Sequence, residues 1–262
     1  MKLAIVGYGN MGKMVSRLAL EQKHSIAAIV DPLVQESCEG IPFFNSLNTA
    51  EGLCGADAAI VFTQPDCALE NIAALAEMKM PSVIGTTGWH SQMSEARQAV
   101  EKSGTALIWA TNFSLGVNIF YRIAWHAASL FDSFPEYDAG GLESHHNKKL
   151  DSPSGTAKTL VDGVLERMKR KNKAVWEMLE RRPEPNELHY PSLRLGSIPG
   201  RHSLFFDSSA DSIEITHTAR SREGFAFGAL RAAQWLCAPL QNGSRRTGFF
   251  SVDDMLKDIL GL

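Results

Sequence analysis

Short apolar runs alternate with segments of helical periodicity through the first half of the chain. Runs of this length fit buried strands, and the periodic segments between them fit amphipathic helices. The predicted strands are Leu3–Val6, Ser25–Val30, Ala58–Phe62, Ser82–Ile84 and Ala106–Ala110, and the predicted helices are Met11–Gln22, one from Asp66, and Gln92–Lys102. Strands that alternate with helices in this way predict a parallel sheet with crossover helices, the α/β class.

The pattern changes after Asn112. Helices are predicted over Gly116–Phe131 and Thr156–Met168, and a strand over Tyr137–His146. Three further strands follow without helices between them, at Leu193–Ser197, His202–Asp207 and Ile213–Thr218. Consecutive strands of this kind usually pair antiparallel, so this part predicts an α+β domain with a mixed or antiparallel sheet. Residues 174–192, which carry prolines and charges, are expected to form an exposed connection.

The last elements are expected to return to the first domain, because the middle segment already closes its own sheet. They are a helix over Phe225–Leu236, a strand over Gly248–Val252 and a short helix from Asp253. The sequence therefore predicts a dinucleotide-binding domain over residues 1–115, completed by 225–262. A substrate-binding and oligomerisation domain is predicted over 116–224.

A glycine motif, Gly7-x-Gly9-x-x-Gly12, joins the first predicted strand to the first helix. In a Rossmann-type fold these glycines allow a tight turn, close approach of the backbone to a pyrophosphate, and close helix–strand packing. Asp31 ends the second predicted strand, where an acid binds the ribose hydroxyls. The alternative is a purely structural turn. Asp31 favours NADH, but Lys13 lies near enough in sequence to leave NADPH open.

Two further loops follow predicted strands of the same sheet. One is Gly85-Thr-Thr-Gly88, and the other begins at Ala110 and runs to Asn118. Ligands of open α/β sheets bind at the carboxyl ends of the strands. These loops could frame a nicotinamide ring, although glycine and threonine are also common in ordinary turns.

Residues 143–156 contain many side chains that could bind or protonate a ligand. Their sequence is Glu-Ser-His-His-Asn-Lys-Lys-Leu-Asp-Ser-Pro-Ser-Gly-Thr. A histidine can deliver a proton near neutral pH, and Lys149 can pair with a carboxylate. Ser154-Gly155-Thr156 begins a predicted helix, whose free N–H groups attract an anion. A reducible dicarboxylate fits this set. A structural histidine is the alternative for either imidazole, and the spacing is poor for a metal site, so no metal is expected.

Composition restricts the function classes. A net charge of −3 over 262 residues gives no general reason to bind nucleic acid or an anionic membrane. The basic run Lys169–Lys173 is expected to be a solvated helix end. The cysteines Cys38, Cys54, Cys67 and Cys237 are scattered, which fits free thiols in a reducing compartment. No apolar run is long enough to span a bilayer, so a cytoplasmic location is expected.

These motifs resemble those of the 4-hydroxy-tetrahydrodipicolinate reductase family. Residues 143–156 are similar to the family signature E-x-H-H-x-x-K-x-D-x-P-S-G-T, and the resemblance extends to the glycine loop, Gly85–Gly88, Asn112–Asn118 and Ile215–Arg222. The resemblance implies reduction of a cyclic dicarboxylate by NADH or NADPH in lysine and diaminopimelate biosynthesis. It also implies a cytoplasmic homotetramer with a Rossmann-type first domain.

The resemblance also implies residue roles. His145 would be the general acid, and Lys149 would bind substrate and assist catalysis. The substrate carboxylates would be held by His146, Ser154, Gly155 and Thr156. The cofactor would be surrounded by Gly7, Gly9, Asn10, Met11, Gly12, Asp31, Gly85, Thr86, Thr87, Asn112 and Phe113.

The chain departs from the family pattern at two places. Its glycine loop is the shorter Gly-Tyr-Gly-Asn-Met-Gly form, and Val61-Phe-Thr-Gln-Pro65 stands where members often have Asp-Phe-Thr-Arg-Pro. These departures affect the expected cofactor preference rather than the reaction. Two other hypotheses stand beside the reductase: a different two-domain nicotinamide oxidoreductase, and a redox sensor that binds NADH without turnover.

Overall fold

The computed structural model describes residues 1–33 and 40–261. These residues form two compact units. The first comprises Met1–Ser114 and Glu223–Leu262, and the second comprises Leu115–Arg222. Cys38 lies outside the described residues, and Cys54, Cys67 and Cys237 are free thiols. Within the described ranges, no helix combines the length and the apolar character that crossing a membrane requires.

The first unit contains one sheet of seven strands. Its strands are β1 (Lys2–Val6), β2 (Ser25–Val30), β3 (Phe43–Phe44), β4 (Ala58–Val61), β5 (Ser82–Ile84), β6 (Ala106–Trp109) and β13 (Gly248–Ser251). Its α-helices are α1 (Asn10–Glu21), α2 (Ala68–Glu77), α3 (Met93–Ser103), α6 (Glu223–Cys237) and α7 (Val252–Leu260). Short 3₁₀ turns occur at Leu47–Thr49, Glu51–Gly55, Pro65–Cys67 and His90–Gln92.

All pairings in this sheet are parallel, in the order β13-β6-β5-β4-β1-β2-β3. β4 is buried along its whole length and β1 from Leu3 onward, as expected when helices cover both faces. The predicted α/β class is therefore confirmed. From β1 the chain adds β2 and β3 on one side of the sheet and then β4, β5 and β6 on the other. The crevice between β1 and β4, where the strand order reverses, is where an open α/β sheet binds its ligand.

The second unit contains a mixed sheet covered on one face by two helices. Its strands are β7 (Asp138–His145), β8 (Lys173–Val175), β9 (Glu187–His189), β10 (Ser192–Arg194), β11 (Arg201–Asp207) and β12 (Ser212–Thr218). Its helices are α4 (Leu115–Phe131) and α5 (Gly155–Arg167). The helices pack closely: a β-carbon at Gly163 would lie 2.2 Å from Nε1 of Trp125. Only glycine allows this approach.

Strand direction in this sheet was predicted only in part. β11 pairs antiparallel with β7 and β12, as expected for consecutive strands. β10 instead pairs parallel with β7, Arg194 lying opposite His145, so the sheet is mixed, the first of the two predicted forms. The reason is that β10 returns to β7 after β8 and β9, rather than through a hairpin.

The expected exposed connection over residues 174–192 is confirmed only for its middle part, residues 180–186, which are exposed. The segment contains β9, and Leu188 and Tyr190 are fully buried. The run Lys169–Lys173 was expected to be solvated, but Lys171 is only 1% exposed. Its ammonium lies 2.5 Å from Asp138 Oδ1 and donates to the Glu187 carbonyl. A buried ammonium needs such partners, and here they come from distant segments.

Candidate active site

The glycine loop of the first unit lies at the carboxyl end of β1. A β-carbon at Gly7 would lie 2.2 Å from the Phe62 carbonyl oxygen, and Gly7 has φ +88°. A β-carbon at Gly12 would lie 2.0 Å from the Gly7 oxygen. Both positions therefore require glycine for packing. At Gly9, by contrast, a β-carbon would meet nothing within 4 Å, which leaves open space beside the backbone.

A cavity of 430 Å³ opens beside this loop. It is lined by Gly7, Gly9, Val30, Asp31, Leu33, Asn45–Asn48, Phe62–Gln64, Glu70 and Asn71, among others. Asp31 is fixed there, because Oδ2 accepts from the Tyr8 amide at 2.6 Å and Oδ1 from the Leu33 amide at 2.8 Å. The first turn of α1 has no side-chain cap from Gly9, so its N–H groups suit an anion. These features suit the ribose and phosphate groups of a dinucleotide.

The other cofactor residues proposed from sequence divide into two groups. Asn10, Met11 and Gly12 form the first turn of α1, directly after the lining residue Gly9, but are not themselves among the described lining residues. Gly85, Thr86, Thr87, Asn112 and Phe113 are not among its described lining residues. Packing requires glycine at position 85, because a β-carbon there would lie 2.2 Å from the Phe62 ring. The Thr86 hydroxyl accepts from the Thr63 amide at 2.9 Å, which links the ends of β4 and β5.

Sequence reasoning assigned no cofactor role to several lining residues, chiefly Phe62, Thr63, Gln64, Glu70 and Asn71. The available signal was position, since residues 62–64 directly follow β4, beside β1. Glu70 and Asn71 lie on α2, whose periodicity was interpreted only as core packing. Two adjacent polar residues on a helix match no known cofactor-binding motif.

In the second unit, a buried carboxylate organises the end of β7. Glu143 is fully buried. Its Oε1 accepts from the Ser154 amide at 3.0 Å, Ser192 Oγ at 2.7 Å and Arg194 Nη2 at 3.0 Å. Its Oε2 accepts a short hydrogen bond from Ser154 Oγ. Burial raises the pKa of Glu143, but these hydrogen bonds outweigh burial and lower the pKa to about 2. The group is an anion at neutral pH.

His145, two residues along the same strand face, lies against this carboxylate. Its Nδ1 is 3.3 Å from Glu143 Oε2, a contact that lacks hydrogen-bond geometry. Burial lowers the pKa of His145, and the Glu143 charge opposes that shift. β7 ends at His145 rather than at the predicted His146, and the alternation of a strand places Glu143 and His145 on the same face.

His202 completes a cluster that sequence reasoning missed. It lies opposite Glu143 on β11, and its ring meets the His145 ring edge-on at 5.2 Å. Ligand atoms of Glu143, His145 and His202 lie within 4.8 Å of one another, which is a spacing that could hold a metal. However, Oε1 is already saturated and the Arg194 guanidinium is adjacent, so the chemistry favours a hydrogen-bonded anion. The missed signal was register, because 59 residues separate the paired positions in sequence.

Lys149 and His146 lie in the loop after β7. Lys149 Nζ is 2.8 Å from Asp151 Oδ1, and this carboxylate side chain is 56% exposed. Burial raises the pKa of Asp151, but the hydrogen bond and charge of Lys149 lower it overall. In the part of the chain that the structure describes, the buried Nδ1 of His146 has no hydrogen-bond partner. Both side chains can therefore serve a ligand.

The start of α5 offers backbone donors. Ser154 is the N-cap, and its hydroxyl accepts from the Ala157 amide while donating to Glu143. The first N–H groups of a helix have no intrahelical partner, so those of Gly155 and Thr156 face outward. A β-carbon at Gly155 would meet nothing within 4 Å. The site can thus hold a carboxylate by backbone donors, with the Ser154 hydroxyl already committed to the loop.

Comparison with known proteins agrees with this arrangement. Residues 1–113 match the family model described as dihydrodipicolinate reductase, N-terminus, and residues 116–256 match the model for its C-terminus. The 4-hydroxy-tetrahydrodipicolinate reductase of Christiangramia forsetii is 36% identical over 259 residues, covering 99% of each chain. The chain belongs to the dihydrodipicolinate reductase family. The 4-hydroxy-tetrahydrodipicolinate reductase of Archaeoglobus fulgidus is 32% identical, and the match covers 98% of this chain and 100% of that protein.

The fold agrees with a solved dihydrodipicolinate reductase. The dipicolinate-bound enzyme from Paenisporosarcina superposes with a TM-score of 0.76 at 21% identity, covering 96% of this chain and 97% of that one. At this identity the match shows the fold alone. It is the fold that the glycine loop and the resemblance implied for a dihydrodipicolinate reductase: a parallel-sheet domain of Rossmann type followed by a mixed sheet.

Proposed function

We propose that this chain is a 4-hydroxy-tetrahydrodipicolinate reductase that uses NADH or NADPH in lysine and diaminopimelate biosynthesis. The observation that carries the proposal is the loop after β7. It presents an imidazole against a buried carboxylate, the Lys149 ammonium, and the open N-terminus of α5 within one short segment. A proton donor beside two anion-binding groups suits a dicarboxylate that is protonated as it is reduced.

The first unit would hold the cofactor. The uncapped first turn of α1 would bind its pyrophosphate, and Asp31 would accept the ribose hydroxyls. We assign Gly7, Gly9, Asn10, Met11, Gly12 and Asp31 to this part, and Gly85, Thr86, Thr87, Asn112 and Phe113 to the nicotinamide side. When bound, the nicotinamide supplies a hydride.

The second unit would hold the substrate. Lys149 would exchange its exposed partner Asp151 for a substrate carboxylate. His146 and the backbone donors of Gly155 and Thr156 would bind carboxylate oxygens, and Ser154 would hold the turn in place. The 4-hydroxyl of the substrate would leave as water and give the unsaturated ring. The hydride would then add to that ring carbon, and His145 would donate its proton to the neighbouring ring carbon. Burial against Glu143 restricts the orientation of the His145 ring, which a fully exposed histidine would lack.

The direct test is turnover with freshly made substrate. We expect steady oxidation of NADH or NADPH only when the condensation product of aspartate semialdehyde and pyruvate is present. A redox sensor would bind the cofactor, yet its absorbance at 340 nm would not decline. A different oxidoreductase would act on an aldehyde or sugar and leave this substrate unchanged.

We expect a preference for NADH. The cavity is lined by the acids Asp31 and Glu70, and no lysine or arginine stands among its described lining residues. A 2′-phosphate beside the fixed Asp31 carboxylate would be repelled, and about 1.4 kcal/mol of repulsion corresponds to a factor of ten. Steady-state kinetics should give a kcat/KM about tenfold or more higher with NADH than with NADPH.

Substitution of Asp31 by asparagine tests the origin of this preference. Asp31→Asn removes the charge and keeps an acceptor for one of the two backbone amides, so the NADH-to-NADPH ratio should fall toward unity. Asp66→Asn removes the same charge from an exposed position that does not line the cavity. It should leave the ratio unchanged. Equal effects of the two variants would remove Asp31 from this role.

We also propose a cytoplasmic homotetramer. β12 is the edge strand of its sheet, and an unprotected edge invites pairing with another chain. The sheet face opposite the helices presents Leu142 and Leu193, each more than a third exposed. Light scattering should give about four times the chain mass of 28.7 kDa. The free thiols Cys54, Cys67 and Cys237 suit the reducing cytoplasm.

A further inference from the structure

We propose that Glu143 is the positioning residue for His145: its carboxylate holds the imidazole with a proton on Nδ1, so that Nε2 delivers the proton to substrate. This inference rests on the proposed function, because it gives a purpose to a general acid at position 145. Glu143 touches neither substrate nor cofactor in this scheme and acts only through His145.

The hydrogen bonds of Glu143 leave one direction open toward His145. Each carboxylate oxygen has about two acceptor sites. Oε1 receives three donors, from Ser154, Ser192 and Arg194, while Oε2 receives only the Ser154 hydroxyl and so keeps one acceptor site. Oε2 lies 3.3 Å from Nδ1 of His145, close enough for a hydrogen bond once the ring turns toward it. Such contacts are often loose before ligands bind and tighten in the complex.

Gly200 keeps the opposite nitrogen accessible. A β-carbon at this position would lie 3.0 Å from Nε2 of His145 and 3.9 Å from Cε1. Any side chain would therefore occupy the place where a proton acceptor must stand. Gly200 is held there by its carbonyl, which accepts from the Ala219 amide at 2.8 Å. The two nitrogens of His145 thus have different neighbours: a carboxylate at Nδ1 and a vacant side-chain position at Nε2.

The groups around His145 act on its pKa in both directions. Burial has the largest effect and lowers the pKa overall, Lys149 and Arg194 on β10 also lower it, and Glu143 on β7 and Asp151 in the loop raise it. His202 on β11 lies 3.9 Å from the same Oε2. Burial lowers the pKa of His202 to about 4; His145, His217 and Lys149 lower it further, and only Glu143 raises it. His202 is therefore neutral near pH 7, and the anion remains available to His145.

The tautomer of His145 tests the proposal without any turnover. In the protein labelled with ¹⁵N-histidine, the resonances missing from His145→Gln identify this ring. At a pH where the ring is neutral, we expect a protonated Nδ1 and an unprotonated Nε2. A neutral ring protonated mainly on Nε2 in the native chain would overturn the proposal, whether or not any variant folds.

Glu143→Gln then tests the effect on catalysis. The three donors around Oε1 require the amide oxygen of glutamine in that place, so its NH₂ group must face Nδ1 of His145. That donor reverses the tautomer to Nε2–H. We expect kcat to fall about 100-fold or more, toward the loss expected for removing the acid itself. The basic limb of the kcat/KM profile should move to lower pH, since the Glu143 charge no longer raises the pKa of His145.

Ser192→Ala is the matched control. It removes one donor from the same carboxylate, but Glu143 stays ionised at neutral pH and still faces His145. The tautomer and the position of the pH limb should therefore be unchanged. If Glu143→Gln lowers activity equally at every pH and leaves the tautomer as in the native chain, Glu143 is only a structural hub and the proposal fails. A native chain with the Nδ1–H tautomer but no turnover would instead contradict the proposed function alone.

Discussion

His145→Gln is expected to lower kcat by about 10²–10⁴-fold while changing KM by less than about threefold. Loss of a positioned general acid typically costs that factor, and glutamine offers no proton of suitable acidity. KM should change little, because the carboxylate-binding groups in our scheme are Lys149, His146 and the start of α5. Initial rates of NADH oxidation at saturating substrate measure the effect.

The pH profile and a paired variant sharpen this test. The acid must be protonated, so native kcat/KM should fall as pH rises through the pKa of His145. Burial lowers that pKa from its ordinary 6.5, which places the limb below that pH in the free enzyme. His146→Gln should raise KM and leave the pH of the basic limb unchanged. A His145→Gln enzyme that retains most of its turnover and the same limb would show that another group donates the proton.

Lys149→Ala is expected to raise KM by about 10–100-fold and to lower kcat by about tenfold. A hydrogen bond to a charged group is worth about 1.5–3 kcal/mol, which corresponds to the first factor. The smaller loss in kcat follows because the ammonium also orients the substrate ring beside His145. Binding of dipicolinate, measured by calorimetry with cofactor present, should weaken by the same factor as KM.

The neighbouring lysine provides the control. Lys148 is exposed and carries the same charge in the same loop, so Lys148→Ala should leave KM within about twofold of the native value. If the two variants weaken binding equally, the loop attracts anions through its total charge. Lys149 would then have no specific contact with the substrate.

Much of the fold could be predicted because its pattern is local. The strands of the first unit are continuous apolar runs between turn residues, and structure confirms Ser25–Val30 and Ser82–Ile84 without change. β8 and β9 were not predicted as strands, and β10 was predicted over Leu193–Ser197, because polar residues interrupt all three segments and leave no continuous apolar run. Lys171 looked like a solvated cation, since its partners Asp138 and Glu187 are far away in sequence.

The site divides along the same line. His145 and Lys149 were proposed from a compact motif, because its reactive side chains lie close together in sequence. The network that organises them was not, because Glu143 is joined to Ser192, Arg194 and His202 through strand pairing across about 50 residues. Gly85 shows the opposite case. The motif indicated a ligand contact, whereas the structure supplies a packing reason in the Phe62 ring.

Transfer of deuterium from cofactor to product tests the central claim most directly. The chain would be supplied with NADH deuterated at the transferable position of C4, together with freshly made 4-hydroxy-tetrahydrodipicolinate, and the product analysed by mass spectrometry. The account predicts one deuterium per product molecule from the cofactor, and a second, solvent-derived label at the neighbouring carbon when the reaction is run in D₂O. Product that forms without the cofactor's deuterium, or cofactor that binds without any product, would contradict it.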